Sequence, residues 1–164
     1  MIKRTVLWLA VILLSLRIFG FSSDTGPESD SMSQKITKVV VNVVEKSIPT
    51  SAQSESDSEK LFELFHFIVR KTAHFSIYAL LAVLTLLLAR SYELKMRVSA
   101  LISASYCLLF AVSDEIHQLF VSGRSGQISD VFIDFCGTLC GIGFVSLICF
   151  LWNRRKKSVK DGTE

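Results

Sequence analysis

The sequence predicts an all-α membrane bundle. Four helices cross a bilayer, both termini lie on the cytoplasmic side, and an outside loop with short amphipathic segments joins helices 1 and 2. Three observations predict this. Half of the 164 residues are hydrophobic and the mean hydropathy is +0.45, too apolar for an ordinary soluble domain. The charged residues, 20% of the chain, are clustered and leave long uncharged stretches. Only two prolines and eight glycines interrupt the chain, and no period-2 alternation of a membrane β-barrel is sustained. The same composition excludes disorder, a disulfide scaffold and a coiled coil over most of the chain. A net charge of +3 does not point to nucleic acid. The length suits a single domain over residues 1–164.

A span needs about 20 apolar residues to cross a hydrocarbon core of about 30 Å. The first is expected at 5–21, interrupted only by Arg17. Lys3 and Arg4 followed by VLWLAVILLSL also resemble a signal peptide. No small-x-small cleavage site follows, however, and Arg17 falls where the apolar run should continue, so an uncleaved helix is expected. The outside loop, 22–71, is uneven. Ser22 to Ser33 is rich in Ser, Asp and Glu and reads as flexible. Lys35 to Ile48 places apolar residues at 36, 39, 40, 43, 44 and 48, a helical stripe, although its valines also permit a strand. Thr50 to Ser58 reads as a polar linker, and Glu59 to Val69 as an amphipathic lead into the second helix. The two apolar stretches are expected on the outer membrane surface or as a cap on the bundle. The second span, 72–90, contains ALLAVLTLLLA; the third, 98–121, is apolar to Val112 and then charged; the fourth, 129–152, is apolar from Phe135, and a tail follows at 153–164.

Orientation follows from Lys and Arg, which favour the cytoplasmic side. A cytoplasmic N-terminus puts Lys3, Arg4, Arg90, Lys95, Arg97, Arg154, Arg155, Lys156, Lys157 and Lys160 inside. The long loop, with more acids than bases, and the turn carrying Arg124 then lie outside. Gly26 and Gly126 are expected outside and Lys157 inside. The expected location is a cell membrane.

Ionisable residues in membrane helices are costly and default to a functional reading. Here the topology stacks them at one height. The second helix brings Arg70, Lys71 and His74; the third ends in Asp114, Glu115, His117 and Gln118; Arg124 lies in the turn; the fourth begins with Asp130 and Asp134. The apolar run from Val98 to Val112 rises about 22 Å. Asp114 and Asp134 are therefore expected just inside the outer boundary, in a hydrated, outward-open pocket. Arg17 lies high enough on the first helix to join them, giving a charge-neutral network with Arg70, Lys71 and Arg124. At about 100° per residue, Asp130, Asp134, Gly137 and Gly141 share one face. Ser103, Cys107, Phe110, Asp114 and His117 or Gln118 share another, as do Arg70, His74, Tyr78 and Thr85. Gly137 and Gly141 form a G-x-x-x-G pair that lets helices approach closely.

Three motifs in order, R-K-x-x-H-F-x-x-Y from Arg70 to Tyr78, D-E-I-H-Q-x-F from Asp114 to Phe120, and R-x-x-x-x-x-D-x-x-x-D-x-x-G from Arg124 to Gly137, resemble the VanZ family. The resemblance covers nearly the whole chain, including a first helix ending in F-S-S and the four-helix hydropathy. The chain departs from the family in its extended, acidic first loop. The resemblance implies a cell-envelope role in reduced susceptibility to the lipoglycopeptide teicoplanin. That antibiotic link comes from the resemblance alone.

The residues themselves leave several chemistries open. Asp114, Glu115, His117, Asp130 and Asp134 are candidate acid/base residues, since carboxylates beside a His in a low-dielectric site are suited to proton transfer. Arg70, Lys71, His74, Tyr78, Gln118 and Arg124 are candidate ligand-binding residues, the arginines suiting a phosphate. His74, Asp114, His117, Asp130 and Asp134 are also of the types that hold a divalent metal. No compact metal motif is present, and a charge-paired structural network predicts the same residues, so no cofactor is assigned. Expected partners are a membrane lipid, a lipid-linked wall precursor or a lipopeptide, and no nucleic acid. Proton-coupled transport would place the ionisable groups nearer the midplane. The four cysteines, Cys107, Cys136, Cys140 and Cys149, all lie in apolar helix and read as small buried hydrophobes.

Overall fold

The computed structural model describes residues 2–23, 26–45, 55–122 and 126–161. These form α1 (Ile2–Ser23), α2 (Gly26–Glu45), α3 (Glu55–Ser91), α4 (Met96–Gln118) and α5 (Ile128–Asp161). No strand occurs among the described residues. All but α2 are long and apolar enough to cross a membrane, so this is a multi-pass membrane protein. Residues 46–54, 123–125 and 162–164 lie outside the described residues. With them go the ends of the stretches read from Lys35 to Ile48 and from Thr50 to Ser58, and Arg124.

α3 is the central element and packs against each of the other four helices. Tyr78, Leu81 and Ala82 of α3 meet Cys107 and Ala111 of α4 and Val11 and Ile18 of α1 in the core. At 37 residues, α3 is about 55 Å long, well beyond a bilayer core. The amphipathic stretch at 59–69 is thus its N-terminal half, continuous with the span.

The two ends of the bundle differ. At one, the Arg4 guanidinium donates to the Ser91 carbonyl at 2.9 and 3.1 Å and lies 4.7 Å from the centre of the Tyr92 ring. Trp8 Nε1 donates to the Tyr92 hydroxyl at 3.0 Å. These contacts tie the start of α1 to the α3–α4 turn. Glu93 stops α3 there with φ of 63°, the left-handed conformation that ends many helices. At the opposite end, Ser23 meets His117, and α4 gives way to α5.

The loop differs most from expectation. Ser22 to Ser33 is helical except at 24–25, which are not described. Pro27 sits in the first turn of α2, where its missing N–H costs nothing. The stripe along α2 is also turned. Thr37 and Val41 are buried, whereas Ile36, Val39 and Val43 are exposed. α4 ends at Gln118, short of residue 121, because the Leu119 and Phe120 N–H groups bond back only three residues, to Ile116 and His117. α5 does not stop at 152, since the Arg- and Lys-rich residues that follow are good helix formers.

Candidate functional site

Two glycines set the geometry of the site. A Cβ built on Gly137 would fall 3.0 Å from the Phe75 carbonyl carbon, and one on Gly141 would fall 3.0 Å from that of Ala79. α5 therefore lies with its backbone against α3, and the residues one turn above the glycines are drawn inward. Asp134 is 0% exposed and Asp130 is buried beside it. From α4, Asp114 (2% exposed), Glu115 and Gln118 are buried at the same level. From α3, Tyr78 is fully buried, while Lys71 and His74 are half-buried at the edge.

Buried charge requires partners. Lys71 forms an ion pair with Asp130. His74 Nδ1 lies 3.5 Å from Asp134 Oδ1, at the limit of a hydrogen bond. Glu115 Oε2 accepts the Gln127 N–H at 2.8 Å, which pins the start of α5 to the end of α4. A Cβ on the adjacent Gly126 would stand 2.7 Å from the Glu115 carbonyl oxygen. Ser129 Oγ donates to Asp130 Oδ1 at 3.2 Å.

The rest of the cluster is unsatisfied. Both oxygens of Asp114, both of Asp134, Glu115 Oε1, the Tyr78 hydroxyl, both Gln118 heteroatoms and Ser22 Oγ are buried without a completed hydrogen bond. They are close in space: the Ser22 and Gln118 side chains approach Asp114, which also feels the charges of His74 and Asp134, and Tyr78 feels those of Asp114, Asp134 and Glu115. Below the cluster the polar lining around Thr85, Ser103 and Thr138 is satisfied, while the buried Ser99 hydroxyl is not. Thr85 Oγ1 and Ser103 Oγ are 2.7 Å apart, Ser103 donates to the Ala82 carbonyl at 2.9 Å, and Thr138 donates to the Asp134 carbonyl at 3.0 Å.

The structure brings together Lys71, His74, Tyr78, Asp114, Glu115, Gln118, Asp130 and Asp134. Arg70 is half-buried on the same side of α3, with no ion pair to a described residue. His117 is not part of the cluster: its Nε2 is 3.0 Å from Ser23 Oγ, and its ring stacks on Phe19 with centroids 4.3 Å apart. It joins α4 to α1. Arg17 is exposed on α1 and does not join the network. Arg124 lies outside the described residues, and among the described ones four acids, Asp114, Glu115, Asp130 and Asp134, stand with Lys71 and His74. The setting is also less open to the surface than expected, since Asp114 and Asp134 are buried. Ser22 and Thr138 were missing from the sequence-derived site. Ser22 belongs to the F-S-S that ends the first helix, and this was its only signal. Among the described residues, no three His, Cys, Asp or Glu side chains are grouped to hold a metal ion.

A buried group of carboxylates at one end of a membrane bundle, with acceptors outnumbering donors, can take up a cation or hydrogen-bond donor or exchange a proton. A family model described as VanZ/LLP1 matches residues 7–151. No curated protein and no solved structure matches the chain.

Proposed function

The chain belongs to the VanZ/LLP1 family, and from this we propose that it is a cell-envelope protein of the cell membrane that lowers susceptibility to lipoglycopeptides of the teicoplanin type. Both termini are cytoplasmic, and the acidic cluster lies at the extracytoplasmic end. There it binds the polar part of a lipid, a lipid-linked wall precursor or a lipopeptide. The carrying observation is that Asp114 and Asp134 are buried with no completed hydrogen bond to either carboxylate. Such groups reduce stability, so their presence is best accounted for by a ligand.

The orientation is supported by the basic residues at the Arg4 end, which favour the cytoplasm. Impermeant thiol labelling of intact cells tests it: Ile128→Cys should label and Asn153→Cys should not, and the reverse would overturn the topology. The function is tested by expressing the chain in a susceptible host. Teicoplanin tolerance should rise several-fold, and tolerance to the same glycopeptide without its acyl chain should rise less. Equal susceptibility with and without the protein would contradict the proposal.

A second reading is an intramembrane enzyme acting on a lipid headgroup. The His74–Asp134 contact favours it, because an imidazole beside a buried carboxylate can act as an acid/base pair. Time-dependent modification of a lipid by the purified protein would establish it.

A further inference from the structure

The geometry points to a primary ammonium group as the moiety held by Asp114 and Asp134, carried on a phosphoethanolamine-type lipid headgroup whose phosphate rests at Arg70. This rests on the reading of the cluster as a binding site. Four carboxylate oxygens, two on Asp114 and two on Asp134, are buried without a hydrogen bond. Lys71 is engaged by Asp130, and His74 reaches Asp134 only at 3.5 Å. The cluster lacks a positive charge with several donors. An ammonium supplies one charge and three N–H donors, with no acceptor to leave unpaired.

A second observation is independent of the acids. The Tyr78 hydroxyl and the Gln118 amide, on residues 0% and 1% exposed, stand without partners at the same place. Each can turn an oxygen to the ammonium, while the Tyr78 hydroxyl and the Gln118 NH2 can donate to carboxylate oxygens that the ammonium does not reach. A divalent cation would answer the same charge. It needs several ligands within about 2.0–2.6 Å, and no three such side chains among the described residues are so grouped. An ammonium accepts a wider cage, with contacts of about 2.7–2.9 Å. A trimethylammonium has no N–H to give and would leave the oxygens unsatisfied.

The charge order along α3 fixes the rest of the headgroup. His74 borders the acids, and Arg70 stands four residues away, about 6 Å along the helix. Cations at the half-buried edge and carboxylates within match a zwitterion entering ammonium first. An arginine is suited to its phosphate.

The purified full chain is melted in detergent with short-chain phosphatidylethanolamine, phosphatidylcholine, phosphatidylglycerol, dodecylamine or Mg2+ alone. Phosphatidylethanolamine should stabilise saturably and bind about tenfold more tightly than phosphatidylcholine, the scale of one charge-assisted hydrogen bond. Asp114→Asn and Asp134→Asn should lose that preference, and Arg70→Gln should weaken phosphatidylethanolamine but not dodecylamine. Equal response to phosphatidylethanolamine and phosphatidylcholine, an unchanged preference in the Asn variants, or stabilisation by Mg2+ alone would each overturn the assignment. If teicoplanin tolerance still depends on Asp114 and Asp134 in that case, only the ammonium assignment fails. If it does not, the binding site fails with it.

Discussion

His74 Nδ1 stands 3.5 Å from Asp134 Oδ1, joining α3 to α5 one turn above the point where Gly137 touches the Phe75 backbone. The two partners are unequal: the imidazole is 22% exposed and the carboxylate 1%. Removing the histidine leaves a buried carboxylate with less to offset it, whereas neutralising the aspartate removes the costly charge. His74→Ala should therefore lower stability by about 1–3 kcal/mol, and Asp134→Asn should not. His74→Ala/Asp134→Asn should recover most of the loss. Thermal melting of the four proteins checks this, and equal losses in both single variants would oppose it.

The Lys71–Asp130 pair is more evenly buried, with side chains 14% and 5% exposed. Lys71→Met strands the carboxylate and should cost up to about 3–5 kcal/mol, the scale for breaking a buried pair. Replacing both, as Lys71→Met/Asp130→Leu, should restore much of it. A double-mutant cycle read by melting gives the coupling, which should exceed the exposed-pair scale of about 0–1 kcal/mol.

Glycine substitutions separate close packing from helix propensity. Gly137→Ala and Gly141→Ala place a Cβ on α3 backbone, which cannot yield as a flexible side chain can. Each should cost about 1–3 kcal/mol through overpacking. Gly20→Ala and Gly143→Ala meet nothing within 4 Å and should be neutral or stabilising by up to about 1 kcal/mol, since alanine favours helix. Extracted abundance and melting of the four variants test the contrast.

Much of this arrangement was legible in the sequence, and what was not has physical causes. The four spans follow from hydropathy, and the helical period alone places Asp130, Asp134, Gly137 and Gly141 on one buried face. Ser103, Cys107, Asp114 and Gln118 were aligned on another face in the same way, and all are buried. Height along a helix, by contrast, does not fix which neighbour a side chain meets. Arg17 has the right height but faces outward, and His117, about 60° around α4 from Asp114, meets α1. Composition misled in the loop: the Ser-rich residues 26–33 read as flexible yet begin α2. Span length also does not reveal burial within the bundle: the close approach of Gly137 to α3 leaves Asp134 without exposure, where an open pocket was expected.

The account's central claim is that Asp114 and Asp134 are kept for a ligand and not for the fold. The most direct measurement is teicoplanin tolerance of Asp114→Asn and Asp134→Asn cells, taken beside the abundance and melting temperature of each extracted protein. Each substitution keeps the side chain's size and removes a buried charge that lacks a completed hydrogen bond, so abundance should be normal and melting unchanged or higher. Tolerance should be lost in both. Full tolerance at wild-type abundance in both variants, or early melting that accounts for its loss, would contradict the claim and leave these carboxylates a structural role.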